Sequence, residues 1–218
     1  MPNNLQELGG ISALIEAALY VVGFGLFLTV LDSSNYVGPA QHVVFLVENR
    51  AAMFIANLLI YVVFSVFLVV LALALYKRLE AEAPEIMLVA TAFGLIWAGL
   101  VIASGMIANI GMSTVVSLYS KDPEQAASLW LAIGTMQEGL GGGNEIVGGL
   151  WVLLLSWAAI RTGGLPRVLN YLGVVIGLAG ILTVVPTFDV LMDVFGLGQI
   201  VWFAWLGIVM LRGNPSAT

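Results

Sequence analysis

The sequence predicts an all-α protein: a polytopic helical membrane bundle of six transmembrane helices, with an interfacial helix before the fourth span. Of its 218 residues, 61% are hydrophobic and only 9% are charged, and the mean hydropathy is +1.05. Soluble domains carry about 25% charged residues, so the composition excludes a water-soluble fold. Apolar runs of about 18 residues or more recur, whereas the alternating strands of a transmembrane barrel are absent.

Six apolar segments are long enough to cross a hydrocarbon core of ~30 Å at about 1.5 Å per residue, which predicts one integral membrane domain over residues 1–218. The predicted spans are Ile11–Leu31, Ala51–Tyr76, Ile86–Met112, Asn144–Ile160, Val168–Val185 and Phe195–Leu211. The first of them follows no basic segment and contains Glu16, which indicates a retained span rather than a signal peptide.

The basic residues are distributed unevenly between the two predicted faces of the membrane. Only Arg50 and Lys121 fall on the face opposite the N-terminus. The face that carries both termini holds Lys77, Arg78, Arg161, Arg167 and Arg212. Because short cytoplasmic loops are enriched in lysine and arginine, the sequence predicts a plasma-membrane protein with cytoplasmic N- and C-termini.

Two connections are predicted in more detail. Arg161 to Arg167 is a tight turn, so the helices on either side of it are expected to be antiparallel neighbours. Asp122 and Pro123 form a helix start, with Asp122 as the cap. The helical pattern then runs from Gln125 to Leu140, which predicts an interfacial helix, and a seventh span is the alternative.

The stretch Leu140–Trp151 places five glycines beside Asn144 and Glu145. The glycines allow the chain to leave one helix and enter another, with Asn144 as the cap and Glu145 in the first turn. Gly148 and Gly149 then present a thin face to a neighbouring helix, as the G-x-x-x-G spacing does in the fifth span. A structural hinge is the first interpretation, and a ligand-contacting break between helices is the second.

Several kinds of chemistry are excluded. The chain has no cysteine and a single histidine, His42, so it supplies neither thiolate ligands nor paired imidazoles for zinc or haem. A formal net charge of −6 argues against a nucleic-acid partner. We predict no metal and no cofactor, and the lipid bilayer as the surroundings, while a protein partner or a homo-oligomer stays open.

Glu16 is the ionisable residue within the first predicted span. A charged side chain in hydrocarbon costs at least ~2.5 kcal/mol by insertion scales, so its presence requires an explanation. Thr91 and Ser156 fall at a similar predicted depth. These three residues form a candidate intramembrane proton or ligand site. The alternative is that Glu16 lies close enough to the headgroups to be hydrated or neutral.

A second group of polar residues is predicted near the other face. The group consists of Asn57, Asn109, Gln137, Glu138, Asn144, Glu145 and Gln199. These residues come from several spans and are expected in one layer, which indicates an outer polar cavity. The alternative is that they hydrogen-bond to loop backbone and bridge helices, a role worth roughly 1 kcal/mol per contact.

The C-terminal half of the chain resembles a known family. The resemblance is carried by Asn144–Arg161, the turn and span Gly163–Gly173, and the closing segment Gln199–Gly207. These segments are similar to a bacterial multi-pass membrane family catalogued as domain of unknown function 4386. The resemblance is best across Asn144–Leu211. It implies the architecture and no activity.

Three functions follow from these observations. The first is a non-catalytic membrane protein with an accessory, binding or sensing role, since no nucleophile–base pair or metal-ligand set is evident. The second is a small proton-coupled transporter or channel that uses Glu16 and the outer polar cavity. A membrane-embedded hydrolase has the least support.

Overall fold

A computed structural model of the chain describes residues 4–142, 145–188 and 190–213. Within these ranges the protein is all-α, as predicted, and no strand occurs. The helices are α1 (Asn4–Phe27), α2 (Pro39–Glu48), α3 (Arg50–Asn57), α4 (Phe64–Leu79), α5 (Pro84–Tyr119), α6 (Pro123–Gln137), α7 (Ile146–Thr162), α8 (Arg167–Leu182) and α9 (Val190–Leu211). Two π-helical segments, Leu58–Val63 and Glu138–Gly142, and a 3₁₀ turn, Pro186–Phe188, complete the described elements.

Among the described residues, four helices are long and apolar enough to cross a membrane: α1, the continuous helix Arg50–Leu79, α5 and α9. The continuous helix contains α3, the first π segment and α4. α7 and α8 are also apolar but shorter, with 17 and 16 residues. Each of the predicted spans therefore coincides with a helix, and four of them reach spanning length by themselves.

The first helix begins earlier in the chain than predicted. It covers Asn4–Phe27 instead of Ile11–Leu31. Its polar first turn is compatible with a helix because Glu7 favours the positive end of the helix dipole. The Gln6 side chain also donates a hydrogen bond to the Met210 carbonyl of α9 at 3.0 Å. The helix begins before the predicted span because apolar content defines a lipid-facing stretch and not the ends of a helix.

α1 packs antiparallel to both α4 and α9, with glycine at the closest contacts. Gly9 lies against Ala74 of α4, and Gly23 lies against Ile60 of the first π segment. On the other side, Gly207 of α9 lies against the Gly10 carbonyl. We call the end of the bundle that carries the N-terminus of α1 and the C-terminus of α9 the terminal end, and the opposite end the α6 end.

α7 and α8 form the antiparallel pair that the tight turn predicts. α7 ends at Gly163, whose φ of 69° is the left-handed conformation that glycine adopts without strain. The Arg78 guanidinium of α4 donates to the Gly164 carbonyl at 3.2 Å, which fixes this turn against the bundle. Along the pair, Gly149 packs directly on the backbone of Gly177.

α5 is longer than any other helix that the structure describes. Its 36 residues extend to about 54 Å at 1.5 Å per residue, which exceeds the ~40–45 Å of a whole bilayer. α6 returns along its last turns, with Ile133 against Gly111, and α2 joins the same small apolar core. The Asp122 side chain accepts a hydrogen bond from the Gln125 amide at 3.0 Å, so the predicted cap is confirmed.

The main core is a cluster of aromatic rings at mid-bundle. Trp97, Trp151 and Trp202 are at most 3% exposed. Their ring centroids form a chain, 5.7 Å from Trp97 to Trp151 and 5.8 Å from Trp151 to Trp202. Such edge and tilted arrangements stabilise beyond the area that they bury. The rings hold α5, α7 and α9 at fixed separations and form the floor beneath the site.

Candidate functional site

The described residues surround a cavity of about 310 Å³ in the half of the bundle nearer the α6 end. It lies between α1, the first π segment with the start of α4, α5, and the residue that precedes α7. The lining residues are Leu19, Tyr20, Gly23, Phe24, Phe27, Ile60, Tyr61, Phe64, Trp97, Val101 and Glu145. We call this space the aromatic cavity.

Aromatic rings make up most of the wall, and they pack on one another. The Tyr20 and Phe64 centroids are 5.6 Å apart at an interplanar angle of 79°. Phe64 in turn meets Trp97 at 5.7 Å and 75°. This packing fixes the ring orientations, so the wall is preformed. No lysine, arginine or histidine is among the described residues that line the cavity.

Among the described residues, Glu145 contributes the only carboxyl group of the lining. It is the residue that precedes α7, and its backbone N–H donates to the Thr183 hydroxyl at 2.8 Å, which holds it against α8. Within the described part of the chain, its carboxyl group takes part in no hydrogen bond and no ion pair. The positive end of the α7 dipole is the one structural feature nearby that favours a negative charge there.

Both π-helical segments meet at the rim of the aromatic cavity. Tyr61 lies in the first segment, and its hydroxyl accepts a hydrogen bond at 2.8 Å from Gln137, which directly precedes the second. Gly105 of α5 lies against Tyr61 at the closest approach between these helices. π segments disturb the regular hydrogen-bond ladder and occur frequently at functional sites. The first segment supplies Ile60 and Tyr61 to the wall, which marks this region as specialised.

Glu16 lies at the middle of α1, deeper than its predicted position near one end of a span, because α1 begins at Asn4. The residue is 0% exposed, and neither carboxyl oxygen has a hydrogen-bond partner among the residues described. Tyr20, one turn further along α1, lies within electrostatic range of both Glu16 and Glu145. Tyr20 thus lines the aromatic cavity one helical turn away from Glu16.

The structure brings neither predicted hydroxyl partner into hydrogen-bond contact with Glu16. Thr91 is buried, and its hydroxyl donates to the Met87 carbonyl of its own helix at 2.7 Å. Ser156 is buried on α7, where it faces Gly173 and lies near the Trp202 ring. Its hydroxyl has no partner within the described ranges.

The residues of the predicted outer polar cavity are divided among several places. Asn57 donates to the Asn109 side chain at 3.1 Å, so these two amides join α3 to α5 as a helix-bridging pair. Gln199 is completely buried on α9, and both polar atoms of its side chain lack partners among the described residues. Asn144 lies outside the described residues. Of the six members of the predicted group that the structure describes, only Glu145 lines the aromatic cavity.

Glu138 lines a different, more polar pocket of about 380 Å³ at the α6 end. The start of α2 and the end of α6 form this pocket, which also includes His42 and Trp130. It does not share a lining residue with the aromatic cavity. The residues predicted to form one polar layer are therefore divided. Glu145 and Glu138 line separate spaces, and the amides of Asn57 and Asn109 bond to each other. Gln199 is buried, and its side chain has no partner among the described residues.

Sequence reasoning missed the aromatic contribution to the site. Tyr20, Tyr61 and Trp97 lie in apolar spans, where aromatic residues are ordinary core components. A weak signal was present, since tyrosines within spans carry a polar hydroxyl that requires a partner. The π segment around Tyr61 has no composition signature that would have revealed it.

The helices and the cavity define a multi-pass helical membrane protein with a ligand-sized space between its helices. A family model described as a domain of unknown function (DUF4386) matches residues 8–209, and the chain therefore belongs to this family. The match extends the C-terminal resemblance through the earlier helices to α1. No curated protein and no solved structure matches the chain.

Proposed function

We propose that the protein is a non-catalytic membrane protein that binds a small, largely apolar ligand in the aromatic cavity. The observation that carries this proposal is a space of about 310 Å³ with an aromatic wall and one carboxyl group. Small-molecule sites are concave and mostly apolar, with a few polar groups that orient the ligand, and they begin at about 300 Å³. The hydroxyls of Tyr20 and Tyr61 and the carboxyl of Glu145 supply those polar groups.

Filling the aromatic cavity is expected to abolish ligand binding. Gly23 lines it, and an added Cβ would face only the flexible end of Ile60, at 3.3 Å, so a leucine side chain can extend into the space. Bromobenzene is a suitable probe, because its heavy atom quenches tryptophan fluorescence and Trp97 forms part of the wall. We expect Gly23→Leu to remove the saturable part of this quenching in nanodiscs.

Gly25→Leu is the matched control for that experiment. Gly25 belongs to the same helix, and a Cβ there would meet nothing within 4 Å. The control should retain the saturable quenching of the unmodified protein. Equal quenching by both variants would show that bromobenzene binds elsewhere and would contradict the proposed site.

We also propose that all six predicted spans cross the membrane, with both termini in the cytoplasm. α7 and α8 extend to about 24–26 Å at 1.5 Å per residue. They are a few Å shorter than an average hydrocarbon core, a mismatch that costs only fractions of a kcal/mol per Å. The position of α6 supports a count of six spans. α6 returns alongside the end of α5, and its last residue, Gln137, donates a hydrogen bond to the Tyr61 hydroxyl. In this topology α6 covers the outer face.

Cysteine accessibility tests the topology, because the chain has no native thiol. Single cysteines at Ser120 and Thr162 should react with an impermeant maleimide from opposite sides of the membrane. A cysteine at Ala81 should behave like the one at Thr162. If α6 were a seventh span, Ser120 and Thr162 would instead react from the same side.

Proton-coupled transport is the second candidate function, and Glu16 favours it. A carboxyl group without a partner, buried at mid-bundle, is the arrangement found in intramembrane proton relays. Tyr20, which lines the aromatic cavity, is one turn away from this group on α1. In this version of the function, protonation of Glu16 would accompany passage of the ligand. Replacement of Glu16 by methionine tests this function, because it should abolish ligand-driven proton uptake.

A further inference from the structure

We propose that the ligand of the aromatic cavity is a small organic cation, an ammonium group on an apolar body, with Glu145 as its counter-ion. This inference rests on the proposed binding function and names the class of ligand. Three features of the cavity support it: the carboxyl group of Glu145, the aromatic wall and the volume.

The described lining of the cavity contains a carboxyl group and no basic group that would pair with it. Glu145 lines the cavity, and Glu16 lies a short distance beyond Tyr20. No basic side chain belongs to the lining, and the Glu145 carboxyl has no counter-ion among the described residues. A carboxyl group that leaves water is strongly destabilised unless it acquires a partner. A bound cation would supply that partner, whereas an anion would be repelled.

The wall favours a cation for a separate reason. Tyr20, Tyr61, Phe64 and Trp97 place aromatic rings around the space. The negative face of an aromatic ring attracts ammonium groups, and quaternary ammonium ligands are bound in such aromatic cages. A neutral apolar ligand would contact the rings equally well but would leave the half-buried Glu145 carboxyl group without a partner. A cation is the one class of ligand that satisfies both the rings and the carboxyl group.

The size and polarity of the cavity restrict the rest of the ligand. A volume of about 310 Å³ admits a body of one aromatic ring or a short branched chain. Phe24, Phe27 and Val101 surround this part of the space. The body is therefore apolar, and a compact ammonium ion such as a substituted benzylamine fits better than a zwitterion or a sugar.

A pair of isosteric probes isolates the charge. Benzyltrimethylammonium and neopentylbenzene have the same shape and differ in that a positively charged nitrogen replaces a carbon. We expect the unmodified protein in nanodiscs to bind the cation about tenfold or more tightly than the neutral probe, corrected for partition into empty nanodiscs. Glu145→Gln should reduce the affinity for the cation about tenfold and leave the neutral probe unchanged, since glutamine keeps the size of the side chain.

The outcomes separate this inference from the proposed function. Equal affinity of the unmodified protein for both probes would overturn the cation and leave the binding function intact. Saturable binding of neither probe, with Gly23→Leu behaving like Gly25→Leu, would overturn the binding function itself. The comparison of probes on the unmodified protein does not depend on how Glu145→Gln folds. Phenylmethanesulfonate, an anion of similar shape, should not bind, and its binding would also contradict the proposal.

Discussion

Replacing Gly149 by alanine is expected to lower the free energy of unfolding by about 2–3 kcal/mol and to separate α7 from α8. A Cβ at Gly149 would lie 2.7 Å from the Gly177 carbonyl oxygen and 2.7 Å from the Ile181 amide nitrogen. Both are backbone atoms, so no side-chain rotation relieves the overlap and one helix must move. Chemical unfolding in bicelles, followed by circular dichroism, measures the loss.

Gly99→Ala is the control for this prediction. Gly99 lies within α5, and a Cβ there would meet nothing within 4 Å. Alanine is the better helix former by roughly 0.5–1 kcal/mol, so this variant should be unchanged or slightly more stable. A stable Gly149→Ala variant would mean that α7 and α8 do not approach as closely as their backbone contact indicates.

The displacement of α7 in this variant is also expected to change the aromatic cavity. Glu145 directly precedes α7 and is held by Thr183 at the end of α8. Movement of α7 relative to α8 therefore moves the carboxyl group of the aromatic cavity. We expect the Gly149→Ala variant to lose affinity for benzyltrimethylammonium even under conditions in which it remains folded.

The general architecture could be predicted from the sequence because lipid imposes a simple constraint. Backbone groups in hydrocarbon must be satisfied within a helix, so long apolar runs have one structural solution. The turn at Gly163, the cap at Asp122 and the close packing at Gly173 and Gly177 followed from local chemistry and are confirmed. The turn and the cap depend on residues that are close together in the chain. The close packing depends on the small size of glycine, which the sequence also displays directly.

The site was less predictable because it depends on rotation and depth of helices, which apolar composition does not encode. Glu145 was selected for its polarity, and it does line the aromatic cavity. Asn57 and Asn109 were selected for the same reason, yet they bond to each other. Polarity identifies residues that require a partner, but it does not say whether that partner is protein or ligand. Tyr61 carried only the weak signal of its hydroxyl group, and it lies in a π segment that the composition does not reveal.

Replacing Glu16 by methionine is expected to raise the free energy of unfolding by about 2 kcal/mol. Both carboxyl oxygens are buried without a hydrogen-bond partner among the described residues, so folding removes them from water without compensation. Methionine has a similar length, is unbranched and adapts to irregular space, so the substitution should leave no large void. Unfolding in bicelles, as for Gly149, measures the gain.

Ser12→Ala, one turn earlier on α1, distinguishes removal of an unsatisfied group from removal of any polar group. The Ser12 hydroxyl is buried but donates to the Leu8 carbonyl at 2.8 Å, and we expect its loss to change stability by less than about 0.5 kcal/mol. A destabilised Glu16→Met variant would contradict the prediction and would show that the carboxyl group has a partner in the membrane.

A gain in stability from Glu16→Met would also bear on function. A group that lowers stability and is nevertheless present in a well-packed core is expected at a functional position, where stability is given up for activity. If the protein couples a ligand to protons, vesicles that contain Glu16→Met should lose proton uptake driven by benzyltrimethylammonium, reported by a pH-sensitive dye inside the vesicle. Binding to the aromatic cavity should persist, because Glu16 does not line it. Proton uptake retained in the stabilised variant would exclude Glu16 as the coupling group.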